Sequence, residues 1–227
     1  MPELPEVQNT VTGLREQVLL KRIGDVWTDY ASPAYHNKPS FKNPEYFAQA
    51  RAQLIGCSIT DVQRRGKYIC IYLDSSQVLL VHMKMTGHFL YGQWEWNNNQ
   101  LRWEPPAGFW DKTWKLSRED VMRTMPLSDP YNNYIHMMIT FEDNSQLAFS
   151  DMRTFAHVQL CTPEEVVDLF ANKLGVEPLE ESTTLEVFRE ALLRRPHTKI
   201  KTALLDQSLV CGFGNIYTDE LLFAAKV

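Results

Sequence analysis

Residues 204–223 read LLDQSLVCGFGNIYTDELLF, and this stretch has two apolar segments separated by a short turn. The turn spans residues 209–214 and contains Gly212 and Gly214, the residue type that most easily reverses chain direction. We predict one helix over residues 199–208 and a second helix from Asn215 onward. Two helices joined by so short a connection pack against each other, so this part of the chain predicts an all-helical unit.

Helical signals extend upstream of this unit to residue 162. Capping-box pairs occur at Thr162 with Glu165 and at Thr183 with Glu186, and each pair precedes an apolar stripe. Pro163 occupies a first-turn position, where its missing N–H leaves no helical hydrogen bond unmade. We therefore expect a helical domain over residues 161–227.

The first 160 residues follow a different pattern, in which strands dominate behind one helix. An apolar stripe at helical spacing predicts an amphipathic helix over residues 5–20, and it consists of Val7, Val11, Leu14 and Val18. Strand-like runs follow, several of them joined by short turns that suit antiparallel pairing. The predicted strands cover residues 23–30, 58–63, 68–73, 78–82, 135–141 and 146–149. A β-rich domain over residues 1–160 followed by a helical domain places the chain in the α+β class.

Composition describes an ordinary globular protein with an acidic average. The chain has 227 residues, 44% of them hydrophobic, and a formal net charge of −5. No apolar run is long enough to span a membrane and no secretion signal is recognisable, so we expect a cytoplasmic protein without a membrane partner. The net charge argues against a protein coated in nucleic acid, but basic clusters at residues 64–67 and 194–201 leave room for local binding sites.

Four cysteines lie far apart, at positions 57, 70, 161 and 211, with no C-x-x-C spacing. This spacing argues against a zinc site built within the chain and favours reduced, buried thiols. We therefore predict no metal ligands and no cofactor among these residues.

The opening sequence MPELPEV places two carboxylates beside a proline. Removal of Met1 would expose the secondary amine of Pro2, and an α-amino group is neutral nearer to pH 7 than a lysine is. Attack of this amine on an aldehyde-like carbon gives a permanently cationic iminium, which is an electron sink for elimination. Glu3 and Glu6 would lie beside it as proton donor and acceptor, and crowding of two carboxylates keeps one of them protonated. Proline and glutamate at a helix start also satisfy capping and dipole preferences, so the motif alone leaves both interpretations open.

Five segments of the chain together resemble, in order, the bacterial formamidopyrimidine-DNA glycosylase family: PELPEV at 2–7, RRGKY at 64–68, HMKMTG at 82–87, DMRTF at 151–155 and the stretch at 204–223. The resemblance implies an antiparallel β-sandwich with an N-terminal helix, followed by a helix-two-turn-helix domain. It implies a bifunctional DNA glycosylase and AP lyase of base excision repair. Such an enzyme excises oxidised purines, 8-oxoguanine and formamidopyrimidines, through an N-terminal proline Schiff base followed by β,δ-elimination.

The same resemblance implies chemical roles for individual residues. Pro2 matches the nucleophile that attacks the sugar C1′ of the damaged nucleotide, Glu3 matches the general acid, and Glu6 matches a second carboxylate. Lys67 matches the lysine that contacts the lesion and its phosphate. Without the resemblance, Lys67 would be interpreted as a solvated charge at a strand end.

Double-stranded DNA is the implied partner, and the target nucleotide must leave the base stack to reach the amine. Met85 matches a side chain that intercalates into the resulting gap, and Arg153 with Phe155 matches the pair that faces the orphaned base. In isolation, a methionine in a turn or a phenylalanine near a strand would be assigned to the core.

The helical domain would supply the phosphate contacts. Asn215 lies at the start of the last predicted helix, where free backbone N–H groups suit an anion, although asparagine is also simply a good N-cap. Lys199 and Lys201 would add contacts that carry affinity but no sequence discrimination.

The chain also departs from the family pattern. The family carries one structural zinc ion in a C-terminal four-cysteine finger, and no such finger occurs before Val227, so we expect a truncated chain rather than a naturally reduced member. The segment over residues 92–129, rich in Trp, Asn and Pro, is longer than the family norm and is interpreted as an insertion or a functional loop. The family commonly has a histidine-containing segment leading into the strand near residue 136. This chain reads Tyr134-Ile135-His136 there, so one phosphate contact of the family is not carried over.

Two other functions remain compatible with the sequence. One is an endonuclease VIII-like glycosylase for oxidised pyrimidines, and the other is a non-catalytic protein that binds damaged DNA. The PELPE and HMKMTG segments favour the formamidopyrimidine branch. We expect a monomer that binds duplex DNA containing oxidised purines or abasic sites.

Overall fold

The computed structural model describes residues 2–100, 102–104 and 130–227 of the chain. Its helices are α1 (Leu4–Val18), α2 (Pro44–Leu54), α3 (Pro163–Lys173), α4 (Leu185–Leu193), α5 (Ile200–Leu205) and α6 (Asn215–Ala225). Its strands are β1 (Ile23–Thr28), β2 (Ile59–Arg65), β3 (Tyr68–Leu73), β4 (Val78–His82), β5 (His88–Gly92), β6 (Glu95–Asn97), β7 (Arg102–Glu104), β8 (Ile135–Phe141), β9 (Gln146–Ser150) and β10 (His157–Cys161). Most of the predicted insertion over residues 92–129 lies outside the described residues.

Two four-stranded antiparallel sheets build the N-terminal domain. One sheet has the strand order β1-β8-β9-β5 and the other has the order β10-β4-β3-β2. Both sheets contribute to one hydrophobic core, in which Val26, Ile71, Met137 and Phe149 are almost completely buried. The predicted β-rich domain is therefore confirmed as a sandwich of antiparallel sheets.

Helix α1 packs on this sandwich through the predicted apolar stripe. Val7, Val11, Leu14 and Val18 are all buried in the same core as the strands. Pro5 lies in the first turn of the helix, where proline is tolerated. The packing fixes the direction in which the N-terminus leaves the sandwich and points it toward the helical domain.

The capping predictions for the helical domain are half right. Thr162 forms the expected reciprocal pair with Glu165 at the start of α3. At α4, however, the N-cap is Thr184, whose hydroxyl accepts the N–H of Val187 at 3.3 Å, so the predicted pair of Thr183 with Glu186 is wrong by one residue. The predicted helix over residues 199–208 ends at Leu205. It stops there because the Asp206 carboxylate accepts hydrogen bonds from the backbone and hydroxyl of Ser208, which starts a turn.

Three elements of the sandwich were not predicted from the sequence. Helix α2 begins after Asn43, whose side chain caps it, while β5 and β10 are five-residue strands at sheet edges. Both strands owe their conformation to partners more than 50 residues away in sequence, β9 for β5 and β4 for β10. All four cysteines are free and buried, as predicted.

A buried ion pair connects the sandwich to the helical domain. Arg64 on β2 donates two hydrogen bonds to Glu177, at 2.9 and 2.8 Å, and the N–H of Gly66 donates a third at 2.7 Å. The two charged side chains are only 5% and 3% exposed. Burial by itself raises the pKa of Glu177, but the hydrogen bonds from Arg64 and Gly66 outweigh it and hold this pKa below its usual value.

Replacement of Glu177 by glutamine should be strongly destabilising, because it leaves the Arg64 guanidinium buried without a counter-charge. We expect a loss of about 3–5 kcal/mol in the free energy of unfolding, measured by urea denaturation at pH 7. The matched control is Glu180→Gln, because Glu180 pairs with Arg65 at the surface at 2.6 Å and is 55% exposed; its loss should stay below about 1 kcal/mol.

The same pair should make stability depend on acid. The pKa of Glu177 is lower in the folded protein than its ordinary value of 4.5, so its contribution is complete above that pH and is lost as the pH falls through the folded value. Similar small losses for Glu177→Gln and Glu180→Gln would contradict this account.

Candidate active site and DNA interface

The N-terminal residues dock directly on the turn between α5 and α6. Glu3 is 3% exposed, and its carboxylate accepts hydrogen bonds from the backbone N–H groups of Gly214 at 2.9 Å, Ile216 at 3.0 Å and Tyr217 at 3.1 Å. The N–H of Leu4 also donates to the carbonyl oxygen of Gly212 at 3.0 Å. The start of the sandwich domain and the last helix are therefore parts of a single site.

Both glycines of the turn are needed for this docking. A Cβ on Gly214 would lie 2.4 Å from Cδ of Glu3, much closer than atoms in contact can come. Gly212 has a φ of +98° in the left-handed region, and a Cβ there would lie 2.5 Å from Cδ1 of Leu4. The turn motif seen in the sequence is thus also the receptor for the N-terminus.

The structure corrects the expectation for the start of α6. Asn215 is the first helical residue, and the N-cap is Gly214. Three N–H groups at this helix end, which were expected to be free for a phosphate, already bind the Glu3 carboxylate. The internal carboxylate takes the position because it satisfies these donors and complements the positive end of the helix dipole. The side chain of Asn215 is exposed, and its contact with a phosphate stays a prediction.

Glu6 is held between the N-terminus and α6. One carboxylate oxygen accepts the backbone N–H of Glu3 at 2.9 Å, and the other accepts the hydroxyl of Tyr217 at 2.9 Å. Slight burial raises the pKa of Glu6, but these two hydrogen bonds outweigh it and leave the pKa below the usual value. Glu6 is therefore ionised near pH 7, and the expectation that crowding keeps one of the two carboxylates protonated stays a prediction.

Lys67 lies in the turn between β2 and β3, at the same end of the molecule. Its side chain is buried, with the whole residue 6% exposed, so it is not a solvated strand-end charge. Burial lowers the pKa of Lys67, while the nearby Glu3 carboxylate opposes that shift. Among the described residues, no hydrogen bond engages its ammonium group, which leaves its donors available to an anionic ligand.

Met85, Arg153 and Phe155 come together at the surface, as expected of residues that enter DNA. Met85 is 44% exposed and Phe155 is 54% exposed, and Nη1 of Arg153 lies 3.2 Å from Sδ of Met85. Side chains this exposed do not belong to the core, and large apolar side chains exposed next to each other are typical of interaction sites. The core interpretation of Met85 and Phe155 is therefore wrong, while their insertion into a duplex stays a prediction.

A buried carboxylate holds these two loops in place. Asp151 is completely buried and accepts hydrogen bonds from the hydroxyl of Thr86 at 2.5 Å, the hydroxyl of Tyr30 at 3.1 Å and the N–H of Ala156 at 2.8 Å. Thr86 follows Met85, and Ala156 follows Phe155. Asp151 belongs to the DMRTF segment, yet nothing in that pattern indicated this supporting role.

The two lysines of the helical domain differ in their surroundings. Lys199 is exposed at the N-cap position of α5. The ammonium of Lys201 lies 2.5 Å from the Asp219 carboxylate on α6. Because exposed ion pairs of this kind are weak, a phosphate could displace Asp219, and both phosphate contacts stay predictions.

Besides the role of Asp151, sequence reasoning missed two residues that organise the site. Tyr217 binds Glu3 through its backbone and Glu6 through its hydroxyl, and it lies in the NIY segment of the last helix. Glu177 fixes the RRGKY turn from the helical domain. A tyrosine beside an N-cap and an isolated glutamate carry no local signal of this kind, since both act through long-range contacts.

Neither a cluster of metal-ligating side chains nor an apolar helix of membrane-spanning length occurs in the residues that the structure describes. No group of three or more His, Cys, Asp or Glu side chains in this part of the chain could hold a metal ion. No helix there is long and apolar enough to cross a membrane.

The sequence and the fold match a known family. The model of the formamidopyrimidine-DNA glycosylase N-terminal domain matches residues 1–158, and that of the formamidopyrimidine-DNA glycosylase H2TH domain matches residues 174–227. The chain belongs to the formamidopyrimidine-DNA glycosylase family. The helix-two-turn-helix (H2TH) element lies where the sequence predicted it, and the family consists of DNA-repair enzymes that bind DNA.

Curated relatives support this assignment along the whole chain. The protein named formamidopyrimidine-DNA glycosylase from Herpetosiphon aurantiacus is 32% identical over 227 residues, which is 100% of this chain and 68% of that protein. The one from Protochlamydia amoebophila is 34% identical over 229 residues, and the match spans 66% of its length. The chain therefore spans about two thirds of the length of these relatives.

Solved structures of this glycosylase family share the fold. A structure of MutM in complex with DNA containing carbocyclic 8-oxo-G is 28% identical with a TM-score of 0.72, over 100% of this chain and 70% of that one. A complex of Lactococcus lactis Fpg with DNA containing an abasic site has the same identity and TM-score, over 99% of this chain and 67% of that one.

Replacement of Gly214 by alanine should disturb the docking of the N-terminus, because the new methyl group overlaps the Glu3 carboxylate. We expect a loss of about 1–3 kcal/mol in the free energy of unfolding, measured by urea denaturation. Gly13→Ala is the matched control: a Cβ there meets nothing within 4 Å, and the change should stabilise helix α1 by about 0.5–1 kcal/mol. Equal effects of the two substitutions would show that Gly214 is not constrained by Glu3.

Replacement of Tyr217 by phenylalanine should raise the pKa of Glu6 toward its ordinary value, because it removes a hydrogen bond that favours the ionised carboxylate. Carbon-13 NMR titration of the Glu6 carboxyl group measures this shift directly. Tyr72→Phe, on strand β3, serves as the control and should leave the titration of Glu6 unchanged. An unshifted Glu6 in Tyr217→Phe would mean that the hydroxyl contact does not form in solution.

Proposed function

We propose that this chain is a bifunctional DNA glycosylase and AP lyase that excises oxidised purines such as 8-oxoguanine and formamidopyrimidines. The observation that carries the proposal is the attachment of Glu3 to the amides of α6, which positions Pro2. Pro2 is bonded to Glu3, whose N–H donates to the Glu6 carboxylate and whose own carboxylate interacts electrostatically with Lys67, and this supports a role for Pro2 as the nucleophile. A nucleophile, two carboxylates and a buried cation at one exposed edge suit attack on a sugar carbon.

In the proposed reaction, removal of Met1 first exposes the amine of Pro2. The amine nitrogen forms a bond to C1′, and the bond from C1′ to the base breaks, so that the electron pair leaves with the base, which takes up a proton. Loss of the amine proton and opening of the bond between C1′ and the ring oxygen then give the iminium. Loss of a C2′ proton expels the 3′ phosphate, and loss of a C4′ proton expels the 5′ phosphate. Water then hydrolyses the remaining iminium, which releases the sugar fragment as an aldehyde and restores the Pro2 amine.

The carboxylates divide the proton transfers between them. Glu3 carries protons between the Pro2 amine and the sugar ring oxygen or departing base, and its three amide contacts keep it in place while it does so. Glu6 is ionised and stabilises the positive charge that develops on the Pro2 nitrogen. Lys67 binds the phosphate next to the lesion, and its burial makes that charge interaction stronger than it would be in water.

The exposed cluster of Met85, Arg153 and Phe155 opens the duplex at the lesion. In the proposal, Met85 and Phe155 enter the stack while Arg153 faces the orphaned base. Lys199, Lys201 and Asn215 hold backbone phosphates, so that a monomer binds duplex DNA containing oxidised purines or abasic sites.

Substrate class is what distinguishes this proposal from an endonuclease VIII-like activity on oxidised pyrimidines. Solved relatives include MutM with carbocyclic 8-oxo-G DNA and Lactococcus lactis Fpg with N7-benzyl-Fapy-dG DNA, both at 28% identity and a TM-score of 0.72. These titles describe those proteins, and they support oxidised purines as the first substrates to test here. A non-catalytic protein that binds damaged DNA is the other alternative.

Borohydride reduction during incubation with an abasic or 8-oxoguanine duplex tests the chemistry. We expect a covalent adduct between protein and DNA that Pro2→Gly strongly reduces, because the primary amine left by the change forms a neutral imine that must be protonated before borohydride reduces it. Pro5→Ala, a proline three residues further on at the start of the same helix, is the control and should keep the adduct. Mass spectrometry of the intact protein establishes that Met1 has been removed before the assay.

Substrate comparison completes the test. Preference for 8-oxoguanine and formamidopyrimidine duplexes over those with oxidised pyrimidines is expected, and the opposite preference would favour the endonuclease VIII-like activity. Absence of any adduct on an abasic site would refute the catalytic part, and lesion-dependent binding without an adduct would identify a non-catalytic binding protein.

A further inference from the structure

A cleft beside the loop of Arg153 and Phe155 takes no part in the chemistry proposed above. It has a volume of about 650 Å³ and is open to solvent. Its lining includes three aromatic rings, two lysines and a hydrogen-bonded pair of side chains, namely Tyr30, Tyr35, Phe155, Lys42, Lys84 and Asp29 with His136. Aromatic walls with a small number of charged groups are typical of ligand-binding clefts.

The strand register of the β10-β4-β3-β2 sheet fixes where this cleft lies. At one end of these strands, Arg65 pairs with Tyr68, Tyr68 pairs with His82, and His82 pairs with His157. Neighbouring strands lie about 4.8 Å apart, so the ends of β2 and β10 are about 14 Å apart across this row of strand ends. Tyr35 lies beyond β10, with its ring 6.2 Å from the ring of His157.

The residues proposed to contact DNA therefore follow one another across this row of strand ends. Lys67 lies at the β2 end, Met85 follows β4, Phe155 precedes β10, and the cleft comes last. If Lys67 contacts the lesion strand and Met85 with Phe155 enters the duplex, the backbone on the far side of these two residues belongs to the opposite strand. The cleft thus faces the strand that the catalytic groups do not touch.

Lys42 serves a structural purpose in the cleft. It is 6% exposed, donates to the carbonyl oxygen of Thr154 at 2.6 Å, and lies 5.0 Å from the ring centre of Tyr35. Burial lowers its pKa, while the charge of Asp151 opposes that shift. Lys42 is thus committed to holding the loop before Phe155.

Lys84, in contrast, is exposed and free to bind a ligand. It has a φ of +56°, a left-handed conformation that lysine rarely adopts, and its N–H donates to Nδ1 of His82 at 3.1 Å. Burial together with the charges of Lys84 and Lys67 lowers the pKa of His82 to about 3, so this ring is a neutral acceptor that holds the strained backbone. Asp29, the acidic group of the cleft, is already paired with His136 at 2.8 Å.

We propose that this cleft binds one phosphate and its deoxyribose from the DNA strand opposite the lesion. The ammonium of Lys84 contacts the phosphate, and the ring of Tyr35 packs against the sugar. A phosphodiester fits better than a base because the charge that the described lining offers to a ligand is positive, and the cleft is open at the surface. The inference rests on the proposed function, since that function defines which strand is opposite.

Binding to duplexes that carry a tetrahydrofuran abasic analogue tests the contact without chemistry. Lys84→Gln should weaken binding roughly fivefold and should reduce the slope of log K against log salt by about 1, because one counterion fewer is released. Lys84→Arg should restore both values. Lys173→Gln removes the same charge from the exposed end of α3 and should leave affinity and slope unchanged.

Neutral methylphosphonates at single positions identify the strand. In the wild type, one substitution in the strand opposite the lesion should weaken binding, and Lys84→Gln should lose this sensitivity while it keeps the response to substitutions in the lesion strand. Sensitivity confined to the lesion strand would overturn the proposal, as would equal sensitivity of the wild type and Lys84→Gln. Strand-specific binding without a borohydride adduct would contradict the proposed chemistry alone, whereas absence of duplex binding would contradict both.

Discussion

The attachment of the Glu3 carboxylate to three backbone amides at the start of α6 is the interaction on which the rest of the site depends. Six residues of extended and helical chain cannot hold a nucleophile in place by themselves, because a chain end loses its order cheaply. Here the third residue is buried under a distant helix, and the helix loses its unpaired donors in the same contact. The demand for this fit explains Gly212 and Gly214, since larger residues at either position would overlap the N-terminal segment.

The sandwich and the helical domain are therefore not independent units. Besides the Glu3 contact, the Arg64 and Glu177 pair joins the turn that carries Lys67 to the segment before α4. A buried pair adds little net stability compared with apolar packing, but it penalises any arrangement in which one partner is left alone. The separation between Lys67 and α6 is set in this way, and a flexible linker could not define it.

Much of this could be predicted from the sequence, and the omissions share one physical cause. The predictions for helix α1, for strands β3 and β4 and for the glycine turn before α6 are confirmed. Each of them rests on a local signal, either apolar periodicity or the residue type of a turn. The free N–H groups expected at the start of the last helix were wrong, because their acceptor, Glu3, lies more than 200 residues away in the sequence. Tyr217, Glu177 and Asp151 were missed because most of their hydrogen-bond partners are distant in the sequence and only the fold brings them together.

Asp151 has a consequence for how DNA damage would be found. A single carboxylate receives donors from the loop of Met85 and from the loop of Phe155, so neither loop can shift without leaving a buried acceptor short of a partner. The two loops therefore form one unit whose conformation is already fixed in the absence of DNA. Because these loops need less ordering when DNA binds, more of the binding energy is left to separate the stacked bases. Poorly stacked base pairs would open first, so the search for lesions would begin by probing how easily the DNA duplex unstacks.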